Sequence, residues 1–444
     1  MKRKPKIIVF FSIFFVLLVI LISKMFLANE KILENDNKDI TLSVCVEEDR
    51  EIMIENLLKY YNNRYKENIQ IEFTIIPSEP MARKGVCKKL QTELMSGKGK
   101  DIYIVEDTSR YMEGAESLFE DSNKLLYNGV LADMSKWTEK DKSFQECFQP
   151  VMEAGKVGEK QYLLPITFSV PVLVREGNGI DFAEETLKPL GKLIDEKSEL
   201  LQEITPYMFT NSREWLGNCI DYRKQKVAIS QKELEKVLQY EVKRTKSMVD
   251  FSEEKFLPNS NLQKNAETKH KRYQYIPMVT LDGKPMAKIM MYAAIGRNCK
   301  EKEKAYRFVR LLWQKEFAEG TGFLMRYESV GTRRICEGSI YGCGHVPVRM
   351  ASWENWGLNM NCNETENVEN TPEQIESIKE FVKTASKIQT ARFVNGLDTA
   401  GSEVQTLFIA EDGYTFRTDF PDIDERVKEA AKILYRNAYY IAME

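Results

Sequence analysis

Between residues 40 and 107, three extended apolar stretches alternate with two helical ones, and this alternation narrows the possible folds more than any other feature. "ITLSVCV" (40–46) is β-branched and of strand length. "REIMIENLLKYYNNRY" (50–65) puts Ile52, Ile54, Leu57, Leu58, Tyr61 and Tyr65 at helical spacing. "IQIEFTII" (69–76) reads as a second strand, and a helix is expected over 81–96 with Val86, Leu90, Leu94 and Met95 on one side. "GKGKDIYIVED" (97–107) is a glycine turn followed by a buried strand. A β-α-β-α-β order implies an α/β fold, with a parallel sheet and helices on its faces. Ligands of such sheets bind outside the carboxyl ends of the strands. Two of those ends carry acids, Glu47–Glu48–Asp49 and Glu106–Asp107. Ligand contact and helix N-capping are both open to these carboxylates.

The N-terminus predicts where the chain resides. Lys2, Arg3, Lys4 and Lys6 precede an apolar run from Ile7 to Ile22, whose only polar residue is Ser12. This charge asymmetry keeps the first residues cytoplasmic and sends the remainder outward. Lys24 can snorkel, which lets Met25–Phe26–Leu27–Ala28 extend the helix toward a full span. A cut after Ala28 would put bulky Phe26 where a small residue is wanted. Residues 1–28 therefore read as an uncleaved signal-anchor helix, with secretion after cleavage as the alternative, and 29–39 as a polar stalk. The expected location is the extracytoplasmic face of a bacterial membrane.

Composition excludes several function classes. Net charge is -3 with both signs interspersed, so no large basic surface offers itself to nucleic acid. Two histidines, His270 and His345, argue against His-dependent hydrolysis. A Gly-x-Ser-x-Gly elbow and a phosphate loop are both missing from the sequence, and no enzyme activity is expected. The eight cysteines are far apart. Cys336, Cys343, His345 and Cys362 match no finger or knuckle spacing and read as ordinary thiols, so no metal or cofactor is expected.

Further along, "VGEKQYLLPITFSVPVLVRE" (157–176) reads as a turn, a strand, a break at Pro165 and another strand. Ser230 and Glu233 form a capping box before an amphipathic helix, and 250–270 reads as a loop. "AKIMMYAAIGRNCKEKEKAYRFVRLLWQKEFAEG" (287–320) is a strand, a turn and a helix whose buried stripe is Ala305, Phe308, Val309, Leu312 and Trp313. Thr371 caps a helix over 371–385, and residues 422–443 form a long amphipathic helix.

Six stretches, in this order, resemble the extracellular solute-binding proteins of bacterial ABC importers, family 1, which includes sugar binders. They are "LQTELMSGKGKDIYIVED" (90–107), "NGVLADMSKW" (128–137), "GEKQYLLPITFSVPVLV" (158–174), "IDYRKQKVAISQKELEKVL" (220–238), "AAIGRNCKEKEKAYRFVRLLWQKEFAEG" (293–320) and "HVPVRMASWE" (345–354). The resemblance covers 40–444. The sequence departs from the family in lacking a lipobox cysteine, and in lacking a Gly-Lys-Ala-rich strand near 245–275.

The resemblance implies a two-lobed fold of the type II periplasmic-binding-protein kind with a cleft between the lobes. The N-terminal lobe would comprise 40–167 and 290–345, the C-terminal lobe 168–289 and 346–444. Crossings are expected near Ile166–Phe168, Lys288–Met290 and His345–Pro347. The implied function is capture of a small polar solute, an oligosaccharide by family default, by a monomer that serves ABC permease subunits. A membrane-anchored sensor or surface scaffold of the same fold is the alternative. Expected ligand contacts are Glu47, Glu48, Glu106 and Asp107 at the strand ends, Phe168 and Ser169 at the first crossing, and Trp215, Trp353 and Trp356 from weakly periodic segments. Trp137 and Trp313 read as packing residues.

Overall fold

The computed structural model describes residues 40–106, 117–176, 184–204, 213–246, 256–258, 273–315, 346–355, 371–393, 395, 397, 404, 406–409, 417 and 419–443. The expected signal-anchor and stalk, Asp107, Trp356 and the Cys336–Cys362 group lie outside these residues. Among the described residues, no helix is long and apolar enough to cross a membrane.

The opening alternation folds as the sequence predicts. Strand β1 (Ile40–Glu47), helix α1 (Glu51–Tyr65), strand β2 (Ile69–Ile76), helix α2 (Pro80–Met95) and strand β3 (Ile102–Glu106) follow one another. β1 pairs in parallel with both β2 and β3. Helix α2 begins where Pro80 needs no donor and Glu79 accepts the amides of Met81 and Ala82. The buried residues of α1 are Met53, Ile54, Leu57 and Tyr61, a one-sided stripe laid on the sheet.

After the short helix α3 (Ser122–Leu125), strand β4 (Leu163–Ser169) enters the same sheet. Pro165 does not break it. Only Thr167 and Phe168 of β4 pair with the flanking short strand, so no ladder donor is asked of residue 165 on that side. The Trp313 indole N–H donates to the Pro165 carbonyl at 2.9 Å. The interruption falls at Val170–Pro171, and β5 (Val172–Glu176) continues into a different sheet.

Helix α4 (Leu190–Glu196), the β6–β7 hairpin (Ile220–Asp221 and Lys226–Val227) and helix α5 (Gln231–Lys246) come next. The α5 cap is the expected box, with the Glu233 amide donating to Ser230 Oγ and the Ser230 amide donating to Glu233 Oε2. Within 250–270, read as loop, Phe256–Pro258 forms a short strand, β8, against β5. Strand β9 (Tyr273–Pro277) pairs on the other side of β5. Strand β10 (Met286–Ile295) then returns to the large sheet and is buried along its whole length. Helix α6 (Lys302–Val309), β11 (Val346–Pro347), helix α7 (Pro372–Ala385), β12 (Thr390–Phe393) and helix α8 (Ile423–Met443) complete the order. The seven-stranded sheet runs β11-β4-β10-β3-β1-β2, with β12 also paired to β10.

Apolar side chains gather into two separate cores. The first surrounds the large sheet and includes Val44, Ile104, Phe168, Ala293 and Trp313. The second includes Leu193, Trp215, Leu238, Phe408, Ala431 and Leu434, and joins α4, α5 and α8. Strand β9 contributes to both, because successive side chains on a strand point to opposite faces: Tyr275 belongs to the first core and Ile276 to the second.

The division differs from the expected lobes. Val346, Val348, Trp353, Phe381, Ala385 and Phe393 all belong to the first core, whereas 346–444 was assigned to the second lobe. The cause is pairing: β11 binds β4, β12 binds β10, and α7 lays Phe381 against Tyr275 at 5.4 Å between ring centres. The chain passes to the second core only between Phe393 and Leu397. Earlier, the chain leaves the large sheet between Ser169 and Val172, although Val172 still packs in the first core, and it returns from the second core between Val279 and Ala287.

Candidate functional site at the junction of the two cores

The ends of three adjacent strands meet where the chain crosses between cores. Ser169, the last residue of β4, is the register partner of Lys288 on β10, and Lys288 is the partner of Arg392 on β12. Directly paired residues present their side chains to the same face of a sheet. All three are buried: Ser169 is 2% exposed, Lys288 2% and Arg392 6%. Arg392 Nη1 donates to the Phe393 carbonyl at 3.2 Å. The Ser169 hydroxyl, though buried, has no hydrogen-bond partner among the described residues. A buried hydroxyl with open capacity is uncommon, because its desolvation is normally repaid by a bond.

A second polar group lies across the crossing at 393–397. Asp121 caps α3, accepting from the Asn123 amide at 2.9 Å. Its other oxygen accepts from the Tyr222 hydroxyl at 2.8 Å. That hydroxyl in turn accepts from Asn395 Nδ2 at 2.9 Å and from Asn123 Nδ2 at 3.4 Å. Asn123 Nδ2 also reaches the Phe393 carbonyl at 3.2 Å. Burial pushes the Asp121 carboxyl up, against the pull of the bonds from Asn123 and Tyr222. Burial, and then the neighbouring Asp121, push the Tyr222 phenol well up. Tyr222 therefore stays a neutral donor. Carboxylate, amide, phenol and hydroxyl are the groups that hydrogen-bond a polyhydroxylated solute.

The residues expected to grip a ligand are differently placed. Glu47 is held by Arg83 in a two-point ion pair, at 2.6 and 3.0 Å, with both side chains buried. Glu106 is held in the same way by Arg50, at 2.9 and 3.1 Å. Both carboxylates sit at the strand ends as expected, and each is held by a guanidinium. Glu48 is exposed and accepts from the Ser78 amide at 2.8 Å, which holds its carboxyl below the usual range.

Phe168 and Trp353 are core residues, packed together with Phe148 at ring separations of 5.1 to 5.9 Å. The Trp353 indole donates to the Pro347 carbonyl at 2.7 Å, so its one polar atom is satisfied internally. Trp215 lies in the second core at 3% exposure. None of these three rings presents a face to solvent on which a sugar could lie, because each fills space between packed elements. Of the expected set, Ser169 is the residue the fold brings into the junction.

Asp121, Asn123, Tyr222, Lys288, Arg392 and Asn395 were not singled out from the sequence. Tyr222 stands in the "IDYRKQK" stretch that carried part of the family resemblance, and this was the available signal. Lys288 stands at a crossing the resemblance implied, and the remaining residues carry no local signal, since an ordinary Asn, Asp or Arg gains its place here only from the fold. Among the described residues, no group of three or more His, Cys, Asp or Glu is placed to hold a metal.

No protein-family model matches the chain, and no curated protein does. Solved structures do match. The cyclic α-maltosyl-1,6-maltose binding protein from Arthrobacter globiformis is 13% identical over 92% of this chain and 99% of that one, with a TM-score of 0.51. An extracellular solute-binding protein of family 1 from Alicyclobacillus acidocaldarius is 12% identical over 92% of this chain and all of that one, with a TM-score of 0.46. The galacto-N-biose/lacto-N-biose I-binding protein of an ABC transporter from Bifidobacterium longum is 14% identical over 91% and 98%, with a TM-score of 0.46. The resemblance read in the sequence is thus met in the fold, which is the α/β fold of the two-lobed solute-binding proteins.

Proposed function

We propose that this chain is the extracytoplasmic solute-binding subunit of an ABC importer. It holds a small polar solute, an oligosaccharide, at the junction of its two cores and releases it unaltered. The observation that carries this reading is the buried row Ser169–Lys288–Arg392 at the crossing of the connecting strands. Polar side chains are costly to bury, and a row of them at the hinge is what a cleft for hydroxylated ligands needs. The fold shared with a protein named for binding a cyclic maltosyl-maltose supports a sugar.

In this reading Ser169 donates to a ligand oxygen, and Asp107 and Trp356 are further contacts. In this reading the segment 1–28 tethers the monomer outside the membrane. Solute-dependent closure of the two cores is the shape a permease reads.

Melting of the intact chain with a panel of di- to hexasaccharides tests the proposal. A bound sugar at a hundred times its Kd adds about 2.7 kcal/mol to stability. Ser169→Val should abolish the shift. If no sugar or other polar solute moves the melting temperature, the importer reading fails and a surface scaffold takes its place. If sugars bind but the chain copurifies with a signalling partner and no permease, it is a sensor.

A further inference from the structure

The second core has a depression of its own, about 480 Å³, to which no junction residue contributes. That size is within the roughly 300–1,000 Å³ of small-molecule sites. Its floor is apolar: Leu216, Cys219 and Val237 are buried, and Ile229 and Leu281 are half-buried beside them. Gly191 forms part of the wall, where an added Cβ would meet only Lys236 Nζ, at 3.8 Å. The half-buried Asn218 lines it too, and its side-chain amide makes no hydrogen bond among the described residues.

The charges at the mouth are unevenly committed. Lys236 is occupied, 2.7 Å from Asp195 Oδ1 and donating to the Gly191 carbonyl at 2.9 Å. Lys192 reaches Glu196 at 3.7 Å. The acids are used on one side only. Glu233 receives the Ser230 amide and hydroxyl on Oε2, and Asp282 receives the Thr280 hydroxyl and the Lys284 amide on Oδ1. Among the described residues, Glu233 Oε1 and Asp282 Oδ2 remain as open acceptors on the rim. Each lysine of the lining faces a carboxylate, Asp195 for Lys236 and Glu196 for Lys192.

From this arrangement we propose that the depression is a second binding site, for a small organic cation with an apolar body. The body lies on Leu216, Val237 and Leu281. The ammonium donates to the rim carboxylates, and Asn218 takes a further polar group. Apolar contact supplies most of the affinity, and the carboxylates select the sign of the charge. The site is independent of the solute proposed for the junction.

Calorimetric titration of the intact chain at low salt tests this with three probes of similar size: phenethylammonium, 2-phenylethanol and 3-phenylpropionate. Phenethylammonium should bind at least tenfold more tightly than 3-phenylpropionate, with the alcohol between them. Glu233→Gln with Asp282→Asn keeps the side-chain acceptors of the cap and turn, and should erase the preference for the cation. Ala228→Trp fills the depression from an exposed position whose backbone amide is already bonded to the Cys219 carbonyl, and should abolish binding of all three. Equal affinity for cation and anion overturns the proposal, as does cation binding that survives the tryptophan. Should the tryptophan variant misfold, the charge-neutral pair decides alone. A junction sugar shift retained in these variants shows that the two sites stand or fall separately.

Discussion

The Tyr222 hydroxyl donates to Asp121 Oδ2 at 2.8 Å, and this bond joins a hairpin of the second core to a helix cap on the first. Because the same hydroxyl accepts from Asn395, the bond also pins the segment by which the chain leaves the first core. The two cores are thus tied where the chain leaves the first of them.

Removing that hydroxyl leaves an Asp121 oxygen without its donor in a buried setting. Tyr222→Phe should cost about 1–3 kcal/mol, the usual penalty for an orphaned buried polar group. Urea unfolding checks this as a lowered midpoint with an unchanged slope. A variant as stable as the parent would show that the two cores do not depend on the bond.

The Glu47–Arg83 pair, with side chains 4% and 2% exposed, makes a sharper prediction. Arg83→Met should destabilise by about 3–5 kcal/mol, because Glu47 is left buried and charged. Combining it with Glu47→Leu should restore most of the loss, since replacing both partners removes the stranded charge. Denaturant titration of the two variants separates these outcomes. A double variant no better than the single one would mean that the pair positions the strand end in a way packing cannot replace.

Glu241 on α5 is fully buried, and burial raises its carboxyl well above the ordinary value of 4.5. The folded state therefore favours the protonated acid, while the unfolded chain ionises near the ordinary value. Stability from this group is complete below that value and is lost as pH rises above it. Glu241→Gln should raise the melting temperature at pH 7, with the gain shrinking to nothing near pH 4. A gain independent of pH would contradict the assignment.

Trp353 separates packing from ligand contact. With the ring in the Phe148–Phe168 cluster, Trp353→Ala should cost about 3–5 kcal/mol in stability. Thermal unfolding read beside sugar titration makes the distinction. A variant of normal stability that no longer binds sugar would make the ring a ligand platform after all.

The strands and helices of residues 40–106 were legible because each is written in its own few residues, in the period of its apolar side chains, and the start of α5 was legible in its cap, Ser230 with Glu233. The strand-end position of Glu47 and Glu106 was legible for the same reason. Their arginine partners were not, since Arg83 lies on the helix after the next strand and nothing local marks its reach. Pro165 misled because a proline interrupts a strand only where its missing donor would be used. Trp215 and Trp353 misled because weak periodicity around a tryptophan does not tell a loop over a cleft from an irregular segment folded into a core.

The apolar period and the capping residues alone were sufficient to set an α/β chain beginning with a parallel three-stranded unit, because those signals act over one or two turns. Tertiary structure decided where one core stops and the other starts, giving β11, α7 and β12 to the first, and it brought Tyr222 to Asp121 across 101 residues. Such choices rest on which surfaces exclude water together. That is a property of the packed whole, and no short segment carries it.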